Sequence, residues 1–194
     1  MRAHEESWLV AAITTMRDRS IITGSLGCPV CSAEYPIADG VADFSEGLAI
    51  REPSKSSYSD DEVAMRAGAF LGLGDSGGRV VLVGDWARGA ASLTRVAQVR
   101  AICVNAGLAI TESESVALVR AGEILPLGAG ACAGVALDRA MDSASVVKSL
   151  QPGGRLVAPA EVKAPAGITI LASDDSYWVG EKAPELTPLG KARR

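Results

Sequence analysis

Residues 79–89 read Arg-Val-Val-Leu-Val-Gly-Asp-Trp-Ala-Arg-Gly. Val80 to Val83 form an uninterrupted apolar run with Gly77-Gly78 shortly before it and Gly84 after it. A run that short, without alternation, predicts a strand buried on both faces, and such strands belong to parallel sheets covered by helices. The pattern then recurs. A helix is expected over about 88–98, and a second buried strand over 101–104. A third strand is expected over 115–119 and a fourth over 135–137, followed by a helix near 142–150. The turn Gln151-Pro152-Gly153-Gly154 leads into a fifth strand over 155–158, and 168–171 and 177–179 pair around the turn Ser173–Ser176. Alternating strands and helices predict an α/β fold with a mostly parallel sheet. The closing pair adds an antiparallel hairpin. The core should hold Val81, Leu82, Val83, Ile102, Val104, Val135, Leu137, Leu156 and Val157.

Ahead of this lies a helix over 61–73, capped by Ser59 or Asp60 and closed near Gly74. Residues 51–59, REPSKSSYS, read as a polar linker. Before the linker, residues 20–44 read as a hairpin and turn, and residues 5–17 as a short amphipathic helix or a strand. Four segments result: an N-terminal β ribbon-like subdomain over 1–50, the linker 51–59, a main domain over 60–182 and a tail over 183–194.

The 194 residues, 48% of them hydrophobic, suffice for one medium domain and a small appendage. A net charge of −4 argues against a nucleic-acid binder. No apolar run approaches the ~20 residues that span a bilayer, and Glu5-Glu6 sit where a signal peptide would carry positive charge. A cytoplasmic protein with reduced thiols is expected. Cys103 and Cys132, alone in apolar stretches, read as small core residues.

The order of the pieces over residues 60–182 resembles class I S-adenosylmethionine-dependent methyltransferases. The matching stretches are VVLVG (80–84), EILPL (123–127), GVALDRAM (134–141), VVKSLQPGGRLVAP (146–159) and SDDSYWVGEK (173–182). The resemblance implies a Rossmann-like domain with its cofactor at the C-terminal ends of the first strands. The segment GCPVCSAEYPIADGVADF (27–44) resembles the small zinc-ribbon proteins that activate tRNA and protein methyltransferases, a ribbon also found fused ahead of bacterial methyltransferase domains.

Set against the family pattern acid-x-Gly-x-Gly-x-Gly, this chain keeps Gly84 and then departs from it. Leu82 replaces the acid, Trp86 the second glycine and Arg88 the third, with Gly89 one place late. An indole of ~150–250 Å² at Trp86 either blocks the methionyl pocket or points outward. The ribose-binding acid falls at Asn105, and the adenine partner, near Ala121 or Gly122, is absent. Asp138 is the one polar residue left at the fourth strand's end, as a substrate-facing group or as a helix N-cap. The vestigial crevice is thus Gly84, Asp85, Trp86, Arg88, Asn105 and Asp138. Residues 105–115 are too few for the usual second crossover helix.

The ribbon is incomplete too. A structural zinc takes four ligands, and this chain offers Cys28 and Cys31. The other arm falls near Ala12 and Thr15, and His4 is the one further candidate. Either the ribbon persists without metal, or two chains share one zinc. The expectation is a non-catalytic methyltransferase-like protein with no cofactor, working through protein contacts and as a homodimer. The alternatives are an active S-adenosylmethionine-dependent methyltransferase on a small molecule or protein, and a nucleotide or metabolite binding module.

Overall fold

The computed structural model describes residues 7–49, 56–74, 77–107, 110 and 112–184. His4, linker residues 51–55 and the basic end of the tail lie outside the described residues.

The main unit begins with α1 (Asp60–Leu71). Ser59 caps it through a capping box: its hydroxyl accepts from the Glu62 N–H, and the Glu62 carboxylate accepts from the Ser59 N–H. The helix ends two residues earlier than expected, at Gly72 rather than Gly74, because Gly72 takes the left-handed conformation (φ 60°) that closes the last turn. There follow β5 (Arg79–Val83), a 3-10 helix over Gly84–Gly89, α2 (Ala90–Ala97), β6 (Arg100–Val104), β7 (Val116–Ala121) and β8 (Cys132–Ala136). The chain closes with α3 (Ser143–Ser149), β9 (Leu150–Pro159), β10 (Ile168–Ser173) and β11 (Tyr177–Lys182). The N-terminal part supplies β1 (Val10–Arg17), β2 (Ser20–Gly27), β3 (Glu34–Ala38) and β4 (Val41–Phe44). The segment read as helix or strand is thus strand from Val10 onward.

The eleven strands of the described residues form one sheet, in the order β1-β2-β3-β4-β7-β6-β5-β8-β9-β11-β10. Its centre, β4 to β9, is parallel, and antiparallel ribbons flank it on both sides. The sheet is therefore mixed rather than mostly parallel. The reason is β4, which pairs parallel with β7 and joins the whole N-terminal ribbon to the main sheet.

Both faces of β5 are buried, as the run Val80–Val83 requires. Val80 and Leu82 pack beneath α1 and α2, together with Ala67, Leu71, Leu93 and Val157. Val81 and Val83 pack on the opposite face with Val135, Leu137, Leu156 and the α3 residue Val146. Full burial of each of these β5 side chains is worth roughly 1.5–3 kcal/mol. Ile102 departs from the expected core. It is only partly buried, because residues 122–131, which lead from β7 to β8 on that side, contain no helix to cover β6. Among the described residues of 105–115 there is no helix either, so the opposite face of β7 is half-covered as well.

Candidate functional site

The strand order reverses between β5 and β8. The chain builds β6 and β7 on one side of β5, then returns to place β8 on the other. In open α/β sheets that point, at the C-terminal strand ends, is where a ligand crevice lies. Here the chain's own groups bridge it. The Trp86 indole Nε1–H donates to the Leu137 carbonyl at the end of β8 (3.0 Å), and the Asp85 N–H donates to Asp138 Oδ2 (3.3 Å). Trp86 does not point outward: it is 5% exposed and belongs to the core under α1. Its ring meets Tyr177 of β11 edge-on at 5.4 Å and Phe70 of α1 at 6.1 Å, spacings at which aromatic pairs attract. Arg66 of α1 lies over the rings of Tyr58, Phe70 and Tyr177 at 4.2, 5.5 and 5.7 Å.

The polar members of the crevice are engaged with one another. Arg139 grips the Asp138 carboxylate with a fork, Nε to Oδ1 at 2.8 Å and Nη2 to Oδ2 at 3.2 Å. Asp138 does not cap α3; that cap is Asp142, which accepts from the Ser145 N–H. Gly84 has φ 60°, and a Cβ there would overlap the Asp138 carboxylate. Arg88 binds Asp85 at 3.2 Å and Asp60 at 2.8 Å, and donates to the Tyr58 carbonyl at 2.7 Å. Those carboxylates, Asp85 first, push the guanidinium pKa up. Ser56 N–H closes the loop on Asp85 Oδ2 (3.1 Å), so residues 56–59, read as linker, wrap over the 3-10 helix. Burial raises the Tyr177 phenol, against the pull of Arg66.

Asn105 follows β6 at φ 54° and is 7% exposed. Its Nδ2 donates to the Ala121 carbonyl (2.8 Å) and its Oδ1 accepts from the Ala121 N–H (3.0 Å). It therefore acts as one more rung between β6 and β7. Gly89, one place late for the family pattern, serves packing. A Cβ there would stand 2.7 Å from the Ala64 backbone nitrogen of α1.

Sequence reading did not single out Phe70, Tyr177, Arg66 or Arg139. The available signal was scarcity: of three Trp, three Tyr and two Phe, Tyr58, Phe70, Trp86 and Tyr177 meet here. Their convergence depends on β11 lying beside β9, which no local pattern reports.

At the ribbon, the turn after β2 folds Cys28 and Cys31 together. Ser32 N–H donates to the Cys28 carbonyl (2.9 Å), Cys28 N–H to the Ala33 carbonyl (2.8 Å), and Ser32 sits at φ 54°. Ala12 and Thr15 lie in the body of β1, opposite Ser25 and Thr23, rather than in a matching turn. Among the described residues no group of three or more His, Cys, Asp or Glu side chains is placed to hold a metal ion. The donors present fit half of a tetrahedral site. Burial raises the neighbouring Tyr35 phenol, with Glu46 and the two cysteines adding to it.

A scan of the chain against protein-family models and a search of curated proteins found no match. Fold and site together define a mixed α/β protein, one eleven-stranded sheet with few helices, whose strand-end crevice is closed by its own side chains. Among the described residues no helix is long and apolar enough to cross a membrane.

Proposed function

We propose that this is a non-catalytic methyltransferase-like protein that works through protein contacts. The central order β7-β6-β5-β8-β9, numbered from β5, runs 3-2-1-4-5, the order of doubly wound nucleotide-binding sheets. The hairpin β10–β11 beside β9 agrees with the resemblance. The observation that carries the reading is the Trp86 indole seated under α1 at the strand ends of β5 and β8 and bonded to the Leu137 carbonyl.

The residues do not fit S-adenosylmethionine. Trp86 occupies the ground that glycine leaves open, both amide groups of Asn105 are spent on Ala121, and Asp138 is held by Arg139. Freeing such groups for a ligand costs ~1–3 kcal/mol each, and each ~1.4 kcal/mol is tenfold in affinity. Calorimetric titration with S-adenosylmethionine and its demethylated product is expected to give no binding heat up to about 100 micromolar. A dissociation constant below roughly 10 micromolar overturns the reading in favour of an active methyltransferase.

The contacts include a second copy of the chain. β1 has a neighbour on one side only, and its eight residues are all exposed, Val10, Ile13 and Met16 among them. An apolar edge of that kind, with Arg17 at its end as its one charge, pairs with another strand unless it is blocked. Zinc, measured by elemental analysis, is expected at no more than one ion per two chains. One ion per chain, retained after His4→Ala, contradicts the half-site assignment.

A further inference from the structure

A cavity of about 840 Å³ lies away from the closed crevice, over β6, β7 and β4 and beneath the β1–β2 turn. Its floor follows one cross-strand row, Cys103, Leu118, Val41 and Ala38 across β6, β7, β4 and β3, which continues the row of Leu82 in β5 under the helices. Leu82 and Cys103 are fully buried, Leu118 and Val41 half-buried, and Ala38 exposed. Burial fades where the cover of α2 ends. Strands paired in parallel are ordinarily covered on both faces by crossover helices, and among the described residues of 105–115 there is none.

We propose that this bay receives an amphipathic, lysine- or arginine-flanked α-helix of a protein partner, which supplies in trans the layer missing among the described residues. The inference rests on the reading of the protein as one that works by contacts. Size fits: a helix 10–12 Å across rising 1.5 Å per residue fills this volume with about one and a half to two turns. Charge selects its flanks. Asp18, Asp39, Asp43, Glu112 and Glu114 stand around the apolar floor, against Arg17, Arg19 and Arg120. The carboxylates outnumber the guanidiniums, which favours a cationic helix. Shape excludes a twofold contact with a second copy at this place, because that contact sets the same patch against itself and two hollows do not fill each other. An apolar floor within a charged rim is also the anatomy of a protein interface.

The test uses the full chain and fluorescently labelled peptides of about 15 residues, the length at which isolated helices form. One has leucines at i, i+3, i+4 and i+7 with lysines elsewhere. The second has the same composition scrambled, and the third has glutamates in place of lysines. Fluorescence anisotropy should show the lysine peptide binding about tenfold tighter than the other two. Leu118→Asp should weaken it by a similar factor. Because Leu118 is half-buried, Glu112→Lys/Glu114→Lys on the rim provides an independent variant, expected to reverse the preference toward the glutamate peptide. Equal binding of the lysine and scrambled peptides, or binding unchanged by both variants, overturns the proposal. Sedimentation showing that a self-association is abolished by Leu118→Asp in a variant with an unchanged melting temperature would assign the bay to a second copy, and overturns it too. Loss of peptide binding while calorimetry stays silent with S-adenosylmethionine removes this inference alone. S-Adenosylmethionine binding removes the reading beneath it.

Discussion

Trp86 carries two jobs at one position. Its ring fills the space between α1 and β11, and its N–H satisfies the Leu137 carbonyl. Trp86→Gly should cost about 3–5 kcal/mol, the range for emptying a large aromatic site, seen as a lower urea midpoint. It should not create affinity for S-adenosylmethionine, since Asn105 and Asp138 stay engaged. Asn105 makes a sharper case. Replacing it by the acid that the family resemblance implies sets a carboxylate oxygen against the Ala121 carbonyl, where a donor is needed. Asn105→Asp is therefore expected to destabilise by about 1–3 kcal/mol at neutral pH, the cost of a buried group left unmet, and by less at pH 4, where a protonated carboxyl donates. Equal urea midpoints for variant and parent would refute that. Two buried thiols give a pH effect. Burial pushes Cys103 up to about 12 and Cys132 up to about 11, from an ordinary 9.0. Both folded values exceed the unfolded one, so their contribution is complete below pH 9 and is lost as pH rises through 11 to 12. Stability should fall in that alkaline window, and Cys103→Ala/Cys132→Ala should flatten the fall.

At the scale of elements, the strands and helices that declared themselves did so by burial on two faces or by a cap. Val80–Val83 reads as a strand because no water-facing residue interrupts it, and Ser59-x-x-Glu62 reads as a helix start because each side chain satisfies the other's backbone. The ends were less legible. β9 runs from Leu150 to Pro159, yet the Pro152-Gly153-Gly154 turn persists inside it as a bulge: pairing with β8 passes from Leu150 directly to Arg155, β11 pairs from Arg155 onward, and Gly153 takes φ 76°. The Gly89–Ala64 approach sets how closely α1 lies on the 3-10 helix. Gly89→Ala should push α1 away and loosen the contacts of Val63 and Ala67. A loss of about 1–3 kcal/mol is expected, as for overpacking, read from thermal melts. An unchanged melting temperature would show that α1 shifts freely.

For the molecule as a whole, the continuous sheet leaves β1 and β10 as open edges. Val10 is 63% exposed and Ile13 50%, too much apolar surface for an edge that stays alone. Sedimentation velocity is expected to show a dimer that Ile13→Lys converts to monomer, with helix and strand content unchanged by circular dichroism. A monomeric parent chain would refute the second-copy contact. This is also the scale at which the parallel expectation needed amendment: β4 is only four residues long, yet its pairing with β7 decides whether the N-terminal ribbon stands apart or joins the sheet.

Local chemistry alone sufficed for the alternation of elements and the identity of most core residues, because burial period, caps and side-chain bulk act over a few residues. The sequence also contains a single Cys-x-x-Cys, Cys28 to Cys31. Only the folded chain decided where Trp86 points, what Asn105 bonds, that Arg139 holds Asp138, and that Tyr177 meets Phe70. Each of those contacts joins groups far apart in the chain or turns on a single backbone angle. Their formation depends on which strand lies beside which, a choice made by the free energy of the whole sheet.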